Sequence, residues 1–173
     1  NNIIMGKQTA TGNSGDMTGR NNTLIGQGVG GRLTTGMFNV LIGDQNGFMM
    51  DTGTCNIVLG NRGGQDICSG SRNVVIGAYA GLNSGDGTDN IYIGSCARST
   101  QCCVSNCLVI GNLNKSWIYG DCNYSIGIGV TNPSVAKVGA GDTQKLAVGI
   151  ATAHHVFANR YHGDENHNFF AGP

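Results

Sequence analysis

The sequence predicts an all-β, glycine-rich repeat fold in which short strands stack as coils of a β-solenoid or β-roll. Three observations predict it. A block Asn-x-x-(Ile/Leu/Met)-Gly recurs, and its glycines stand 17 residues apart from Gly26 to Gly111. Two further glycine series, which begin at Gly30 and Gly36, keep the same spacing. The apolar part of each block is three residues long, too short for a helix, and a fixed period of this size is typical of stacked repeats.

Each block is expected to form one strand bounded by corners. The runs Val40-Leu41-Ile42 and Val74-Val75-Ile76 suit a strand, and the flanking asparagine and glycine favour turns. One coil would then hold a strand, a corner, a short second segment and another corner. The block asparagines are expected to stack as a ladder of amides, beside columns of block glycines. These structural repeat residues are Asn22, Gly26, Asn39, Gly43, Asn56, Gly60, Asn73, Gly77, Asn90, Gly94 and Gly111.

The strands carry apolar residues on both faces. All three apolar positions are filled in most blocks, although neighbouring side chains on a strand point to opposite faces. Both faces are therefore expected to be buried, as in a central strand. The rest of each repeat is mostly polar, so one chain can cover only one face. Three chains around an axis would each donate a strand face to a shared core, and the sequence therefore predicts an intertwined homotrimeric fibre.

The repeat divides the chain into three parts. Residues 1–130 are expected to form an array of about eight short-strand coils, with an irregular coil at each end. Residues 131–167 lose the period and are expected to form an interlaced β segment. Residues 168–173 match the block again and are expected to begin a further array. Because the chain starts inside a repeat and has no initiator Met, it is expected to be a fragment of a longer polypeptide.

Composition excludes some classes of partner. Only 12% of the residues are charged and the net charge is zero, which argues against a basic nucleic-acid-binding face as the main function. No apolar run approaches the roughly 20 residues that span a bilayer. Neither nucleic acid nor membrane insertion is therefore expected.

The cysteines and histidines offer two weak candidate sites. None of the seven cysteines has the paired spacing of a zinc site, and small buried or corner residues are their ordinary interpretation. The best disulfide candidates are Cys96, Cys102, Cys103 and Cys107. A three-fold axis could bring histidines of three chains to one metal, and the weak candidates are His154, His155 and His162. Their spacing matches no known site, so no metal and no cofactor are expected.

The aromatic and acidic residues were considered as binding and catalytic groups. Aromatic rings suit sugar faces, which makes Tyr79, Trp117 and Tyr119 candidates for glycan contact, with core or trimer packing as the competing interpretation. The ten carboxylates are scattered, whereas glycoside hydrolysis needs two that face each other. No nucleophile elbow or phosphate loop occurs in the sequence. The chain is therefore not expected to be an enzyme.

Several motifs together resemble a known family. They are the Asn-x-x-Ile-Gly-x-x-x-Gly array, the run from Ile126 to Pro133, the run from Val148 to Ala153, and the block from Asn168 to Gly172. Over essentially the whole chain, this combination resembles tail-fibre and related virion structural proteins of tailed phages, particularly cyanophages and other marine phages. The cysteine content departs from the usual pattern of that family.

The resemblance implies a function and a location. It implies a homotrimeric fibre segment of the virion, extracellular, used for adsorption to a bacterial surface. Its partners would be other fibre or baseplate proteins and a host-surface glycan or protein receptor. Similar glycine-punctuated arrays of shorter period occur in bacterial trimeric adhesins. A bacterial surface adhesin or extracellular filament subunit therefore stays open, and a polysaccharide-degrading tailspike is a further alternative.

Overall fold

The computed structural model is an all-β solenoid of about six turns, which confirms the predicted fold of stacked coils. It describes residues 1–11, 17–99, 105–112, 115–120, 126–128 and 146–148, among which there is no helix. Ten strands form one sheet in chain order. They are β1 (Ile3–Met5), β2 (Thr23–Gln27), β3 (Val40–Asp44), β4 (Ile57–Asn61), β5 (Val74–Ile76), β6 (Ile91–Ile93), β7 (Leu108–Asn112), β8 (Lys115–Gly120), β9 (Ile126–Ile128) and β10 (Leu146–Val148).

Strands β1–β7 are parallel, and from β2 onwards their register is that of the 17-residue repeat. Val40 of β3 lies beside Thr23 of β2 and Ile57 of β4. Equivalent positions of successive blocks therefore stand beside one another and form straight columns across the sheet. Within residues 17–99, turns and bends connect one strand to the next, and the expected short second segment is one of these turns and not a strand.

The parallel stack ends at β7. The chain returns as β8, which runs antiparallel to β7, and β9 runs antiparallel to β8. We expected an irregular coil in this region, and the described part of it consists of strands that reverse direction. The register shifts after Ile110, which lies opposite Ile118, whereas Gly111 lies opposite Ser116. Trp117 therefore has no residue opposite it on β7, although the sheet continues unbroken to β10.

The core is built from one inward residue per strand. In β2–β7 the middle residue of each apolar triplet is buried, and turn residues on the other side of the coil pack against it, whereas Ile4 of β1 is 44% exposed. The strand residues of this core are Leu24, Leu41, Val58, Val75, Tyr92 and Val109, and the turn residues include Leu33, Met50 and Ile67. The inner face of the sheet is thus covered by the chain's own turns.

One coil of the core carries a large ring. Tyr92 occupies the inward position that is leucine or valine in the other regular coils, and it is fully buried. Ser84 stands where the other coils have Leu33, Met50 or Ile67, so a small residue leaves room for the phenol ring. Among the described residues, neither hydroxyl meets a partner at full hydrogen-bond geometry, but Ser84 lies near enough to the phenol to offset part of the rise in its pKa.

The backbones of successive coils approach closely at the glycine that closes each block. Gly43 has a φ of 137°, a region that side chains rarely adopt. A Cβ at this position would overlap the carbonyl oxygen of Gly60 in the next coil. The block glycine is therefore required by the spacing of the coils as well as by the corner.

We expect Gly43→Ala to lower the free energy of unfolding by at least about 2 kcal/mol, because both the backbone conformation and the neighbouring carbonyl exclude a side chain. Gly28→Ala is the matched control. Gly28 also has a positive φ, but its nearest neighbour is the flexible Gln45 Cγ, 3.3 Å from the added carbon, so a loss of about 1 kcal/mol is expected. Urea unfolding of both variants measures this. Equal losses would contradict the proposed close approach.

We expect Tyr92 to make the protein less stable in alkali. Burial raises the pKa of Tyr92 above its ordinary value of 10.0. Above pH 10 the unfolded chain therefore releases this proton while the folded chain keeps it, and stability falls by up to about 1.4 kcal/mol per pH unit. Tyr92→Phe should remove this loss and leave stability at pH 7 unchanged or higher, because the lost hydroxyl is buried without a partner at full hydrogen-bond geometry. Urea titrations at pH 7 and pH 9–11 compare the two proteins; identical pH profiles would refute the expectation.

Candidate functional site

The block asparagines stand in one buried column. Each is at most 1% exposed. The side-chain oxygen of Asn39 accepts the backbone N–H of Asn56 at 3.0 Å. The side-chain nitrogen of Asn56 donates to the carbonyl of Gly70 at 2.8 Å. The oxygen pattern repeats at every step from Asn22 to Asn90. The nitrogen pattern repeats from Asn22 to Asn73. The structure thus brings the predicted asparagines together as an amide ladder that joins each coil to the next.

The ladder reaches the last parallel strand through a substitution. Cys107 occupies the asparagine position and is buried. Its backbone N–H still donates to Asn90 Oδ1 at 2.9 Å. The column therefore continues to β7 through this backbone donor, and Asn90 remains bonded to the coil that follows it.

Sequence reasoning missed a second buried asparagine. Asn46 stands in a turn position that is valine or alanine in three other coils. Its side chain donates to the carbonyls of Ile42, at 2.6 Å, and Gly60, at 2.9 Å, and accepts the N–H of Gly63 at 2.7 Å. Gly63 is the equivalent residue one coil later. Their pairing 17 residues apart is a signal that the repeat register could have revealed.

The aspartates of residues 17–99 all bond to an adjacent coil. Asp44 accepts from Asn61, Asp51 from Thr34, Asp66 from the N–H of Asn83, Asp86 from Ser69, and Asp89 from Arg72. Hydrogen bonds from Ser69 lower the pKa of Asp86, and the bond from the Arg72 guanidinium lowers the pKa of Asp89. These acidic groups therefore serve the stack. In the described part of the chain, no three metal-ligating side chains come together.

The three aromatic candidates do not form one site. Tyr79 is 38% exposed and lies under the Arg62 guanidinium, whose carbon is 6.0 Å from the ring centroid. Tyr119 packs against the core. Trp117, at the irregularity of β8, is 64% exposed. Tyr79 follows β5, so β6 and β7 separate it from the other two. Trp117 is thus the most accessible of the three rings.

Only some of the cysteine and histidine candidates lie among the described residues. Cys96 carries a free thiol, as do Cys55 and Cys68, and burial raises the pKa of the Cys68 thiol. Cys107 lies in the buried asparagine column. The remaining candidates lie outside the described residues: Cys102, Cys103, His154, His155 and His162.

An apolar face covers the outer side of the parallel sheet. It consists of the first and third residues of each apolar triplet, and we call it the outer face. Its first column is Ile3, Thr23, Val40, Ile57, Val74, Ile91 and Leu108; its second is Met5, Ile25, Ile42, Leu59, Ile76, Ile93 and Ile110. All but Thr23 are apolar. Ile57 is 41% exposed and Ile91 is 40% exposed, whereas the middle residue of each of these two triplets points inward and is buried.

The outer face continues beyond the change of strand direction. Opposed residues of antiparallel strands share a face. Ile118 of β8 lies opposite Ile110 and Ile128, so all three belong to the outer side. Ile126 lies opposite Gly120, which itself lies opposite Leu108. Ile126 and Ile128 are 45% and 47% exposed. The 17-residue repeat is lost here, but the outer side stays apolar.

Polar residues border the outer face. At the carboxyl ends of β3 and β4, Asn61 donates to Asp44 at 3.0 Å. Before β5 and β6, Arg72 and Asp89 form a bidentate ion pair between adjacent coils, with Nε–Oδ1 at 2.6 Å and the second bond at 2.8 Å. Arg72 and Asp89 are thus paired within the chain and Asp44 is hydrogen-bonded to a neutral amide, and the face has an apolar centre with a polar rim.

Comparison of the chain with protein-family models, curated proteins and solved structures finds no match. No helix in the described ranges has the length and hydropathy needed to cross a bilayer.

We expect Asn56→Ala to lower the free energy of unfolding by about 2–5 kcal/mol. It removes the partners of the Gly70 carbonyl and the Asn73 N–H, and each buried group left unpaired costs roughly 1–3 kcal/mol. Asn61→Ala, in the same coil, removes an exposed amide and should change stability by less than about 1 kcal/mol. Urea unfolding compares the two variants. A similar loss in both would show that the ladder does not hold the coils together.

Proposed function

We propose that this chain is a structural and adhesive segment of a phage tail fibre, a rigid homotrimer that presents a binding site for a host-surface glycan or protein receptor. The virion would be its location, and other fibre or baseplate proteins its neighbours. The amide ladder carries the proposal. It ties every coil to the next through buried hydrogen bonds, so that coils add along one axis and resist bending.

The repeating coil supports a mechanical role. Each coil contacts chiefly its neighbours, as in other solenoids, and pairs its strand on both sides between β1 and β7. The inward residues form one continuous core along the stack. A load along or across the axis is therefore shared by many equivalent bonds, which is what a fibre shaft requires.

The acidic residues support a structural role over a catalytic one. A retaining or inverting glycosidase needs two carboxyl groups held apart for a substrate and a water molecule. The aspartates between residues 17 and 99 instead accept hydrogen bonds or ion pairs from the neighbouring coil. Their oxygens are engaged in holding the stack, which gives the polysaccharide-degrading alternative less support.

We expect the purified chain to be a trimer in solution. Light scattering should give about three times the chain mass of 17.9 kDa, because three chains would bury one apolar face each. A second measurement with reductant shows whether disulfides between chains contribute to that mass. A monomer would overturn the trimeric fibre.

Antibody labelling separates the fibre from a bacterial adhesin. Antibodies raised against the purified chain should label the tail fibres of phage particles in electron micrographs of infected cultures. Antibodies absorbed with the purified chain are the control. Labelling of the bacterial envelope in uninfected cells would overturn the viral assignment and favour the adhesin.

A further inference from the structure

We infer that the outer face is the surface through which copies of this chain pack on one another, side by side, parallel and in register along the stack. The inference rests on the proposed function, because it assumes self-association, and it adds the surface and the arrangement. The structure supplies the candidate directly: two columns of aliphatic side chains that the chain's own coils leave uncovered.

The first argument is the two-sided character of a parallel sheet. Parallel sheets occur almost only where both faces are covered. Here the inner face is covered by Leu33, Met50 and Ile67 from the turns, whereas the outer residues Ile42, Ile57, Ile76 and Ile91 remain 37–41% exposed. The sheet therefore has the composition of a doubly covered sheet, but one chain covers only one side.

The outer face is a large apolar patch for a single chain, although it is smaller than one side of a standard protein interface. Neighbouring strands lie about 4.8 Å apart, so nine strands extend for roughly 40 Å, and two columns with their side chains are about 10 Å wide. The resulting area of about 400 Å² is at the level of the largest apolar patches on monomers. It is about half of the ~800 Å² that a standard interface takes from each partner. An apolar centre with a polar rim is the usual anatomy of such an interface.

The shape of the outer face favours a second copy as the occupant. Its columns are straight and repeat at every strand, so a partner must offer a flat apolar strip with the same spacing over the same length. Another copy of the chain has the same strip, because its sequence and fold are the same. When the copies are parallel and in register, each coil meets the equivalent coil, and Ile57 and Ile91 meet their own counterparts.

The rim is compatible with this packing. Burial of an unpaired charge is costly, but Arg72 already pairs with Asp89 and Asp44 already accepts from Asn61. A neighbouring copy can therefore cover the aliphatic columns while the Arg72–Asp89 ion pair stays intact and Asp44 keeps its hydrogen bond from Asn61. No charged residue lies in the two columns of β1–β7.

The extension past β7 is the independent observation. If the outer columns were apolar only because the block is copied, the pattern would end with the repeat. It does not, because Ile118 and Ile128, which belong to no block, keep the outer side apolar where the strand direction changes. The apolar character belongs to this side of the sheet, and a covering partner accounts for it.

A charge-insertion experiment tests the surface. The double variant Ile57→Asp/Ile91→Asp places two carboxylates in the first column. The matched control is Phe48→Asp/Tyr79→Asp, which adds the same charge at residues that are 39% and 38% exposed and lie outside the two columns. Sedimentation velocity gives the assembly state and circular dichroism reports the fold.

The inference predicts that wild type and control assemble alike, and that the outer-face variant is a monomer with an unchanged β spectrum. If the folded outer-face variant assembles as the wild type does, the surface is wrong and the fibre proposal stands. If the wild type is itself a monomer, the inferred surface and the fibre proposal both fail. Binding of another protein or of lipid to the outer face would not rescue either of them.

A cross-linking variant tests the register and does not depend on the folding of the charged variant. In parallel, in-register copies, oxidised Ile76→Cys should form a disulfide-linked dimer on a non-reducing gel. Wild type with its own thiols, and Thr52→Cys in the exposed turns between β3 and β4, should not gain this band. An assembled Ile76→Cys chain without the new cross-link would overturn the in-register arrangement.

Discussion

The 17-residue register between coils is the constraint on which the structure depends. A buried polar group must find a hydrogen-bond partner, and in this fold the partner lies in the coil above or below. The N–H of Val40 donates to the Asn56 carbonyl at 2.8 Å, and the N–H of Cys55 donates to the Met37 carbonyl at 3.0 Å. The asparagine side chains follow the same spacing. An inserted residue would displace all of these partners at once, and the regular coils accordingly keep one length.

The register also imposes backbone conformations that the local sequence does not favour. The residue before each buried block asparagine has a φ near 60° and is not glycine: Asn21, Phe38, Cys55, Arg72 and Asp89. Asn106, which precedes Cys107 in the same column, has the same conformation. A left-handed conformation costs a non-glycine residue roughly 1–2 kcal/mol. The backbone N–H of each of these residues donates to a carbonyl of the preceding coil. In the regular coils, the N–H two residues later donates to a carbonyl of the following coil. Hydrogen bonding between coils therefore determines the corner conformation, against the local preference of these residues.

The 17-residue register also explains how much of the structure could be predicted from the sequence. The period predicts strands, columns and register, because these repeat at every coil. The block asparagines could be assigned to a ladder for the same reason. The pairing of Asn46 with Gly63 follows the same spacing, so the register could have revealed it as well. The pairing of Tyr92 with Ser84 does not follow that spacing, because the two residues become neighbours only in the folded coil. The left-handed corners at Phe38 and Arg72 carry no glycine signal.

The reversal at β8 and the outer face show a different limit. The apolar residues of Lys115–Gly120 suit a strand, but no repeat in the sequence defines its direction. For the outer face, the triplets predict residues on both sides of the sheet. They do not say how the remaining turns are used, and the structure shows that the turns cover only the inner side. One chain therefore closes its own core but still carries, on the outer side of the sheet, apolar residues of the kind that are usually buried.

In the proposed assembly, stacking and side-by-side packing are linked through the number of coils. Each added coil contributes a strand residue and turn residues to the core and two residues to the outer face, so both gains rise with length. The loss of translational and rotational freedom on association occurs once for the whole chain. A single coil offers little apolar area to offset that loss, whereas the nine strands from β1 to β9 together offer about half of the ~800 Å² that a standard interface takes from each partner. In this proposal the length of the array sets the strength of association, which is the role we assign to the aliphatic or threonine side chains on the outer side of every regular coil.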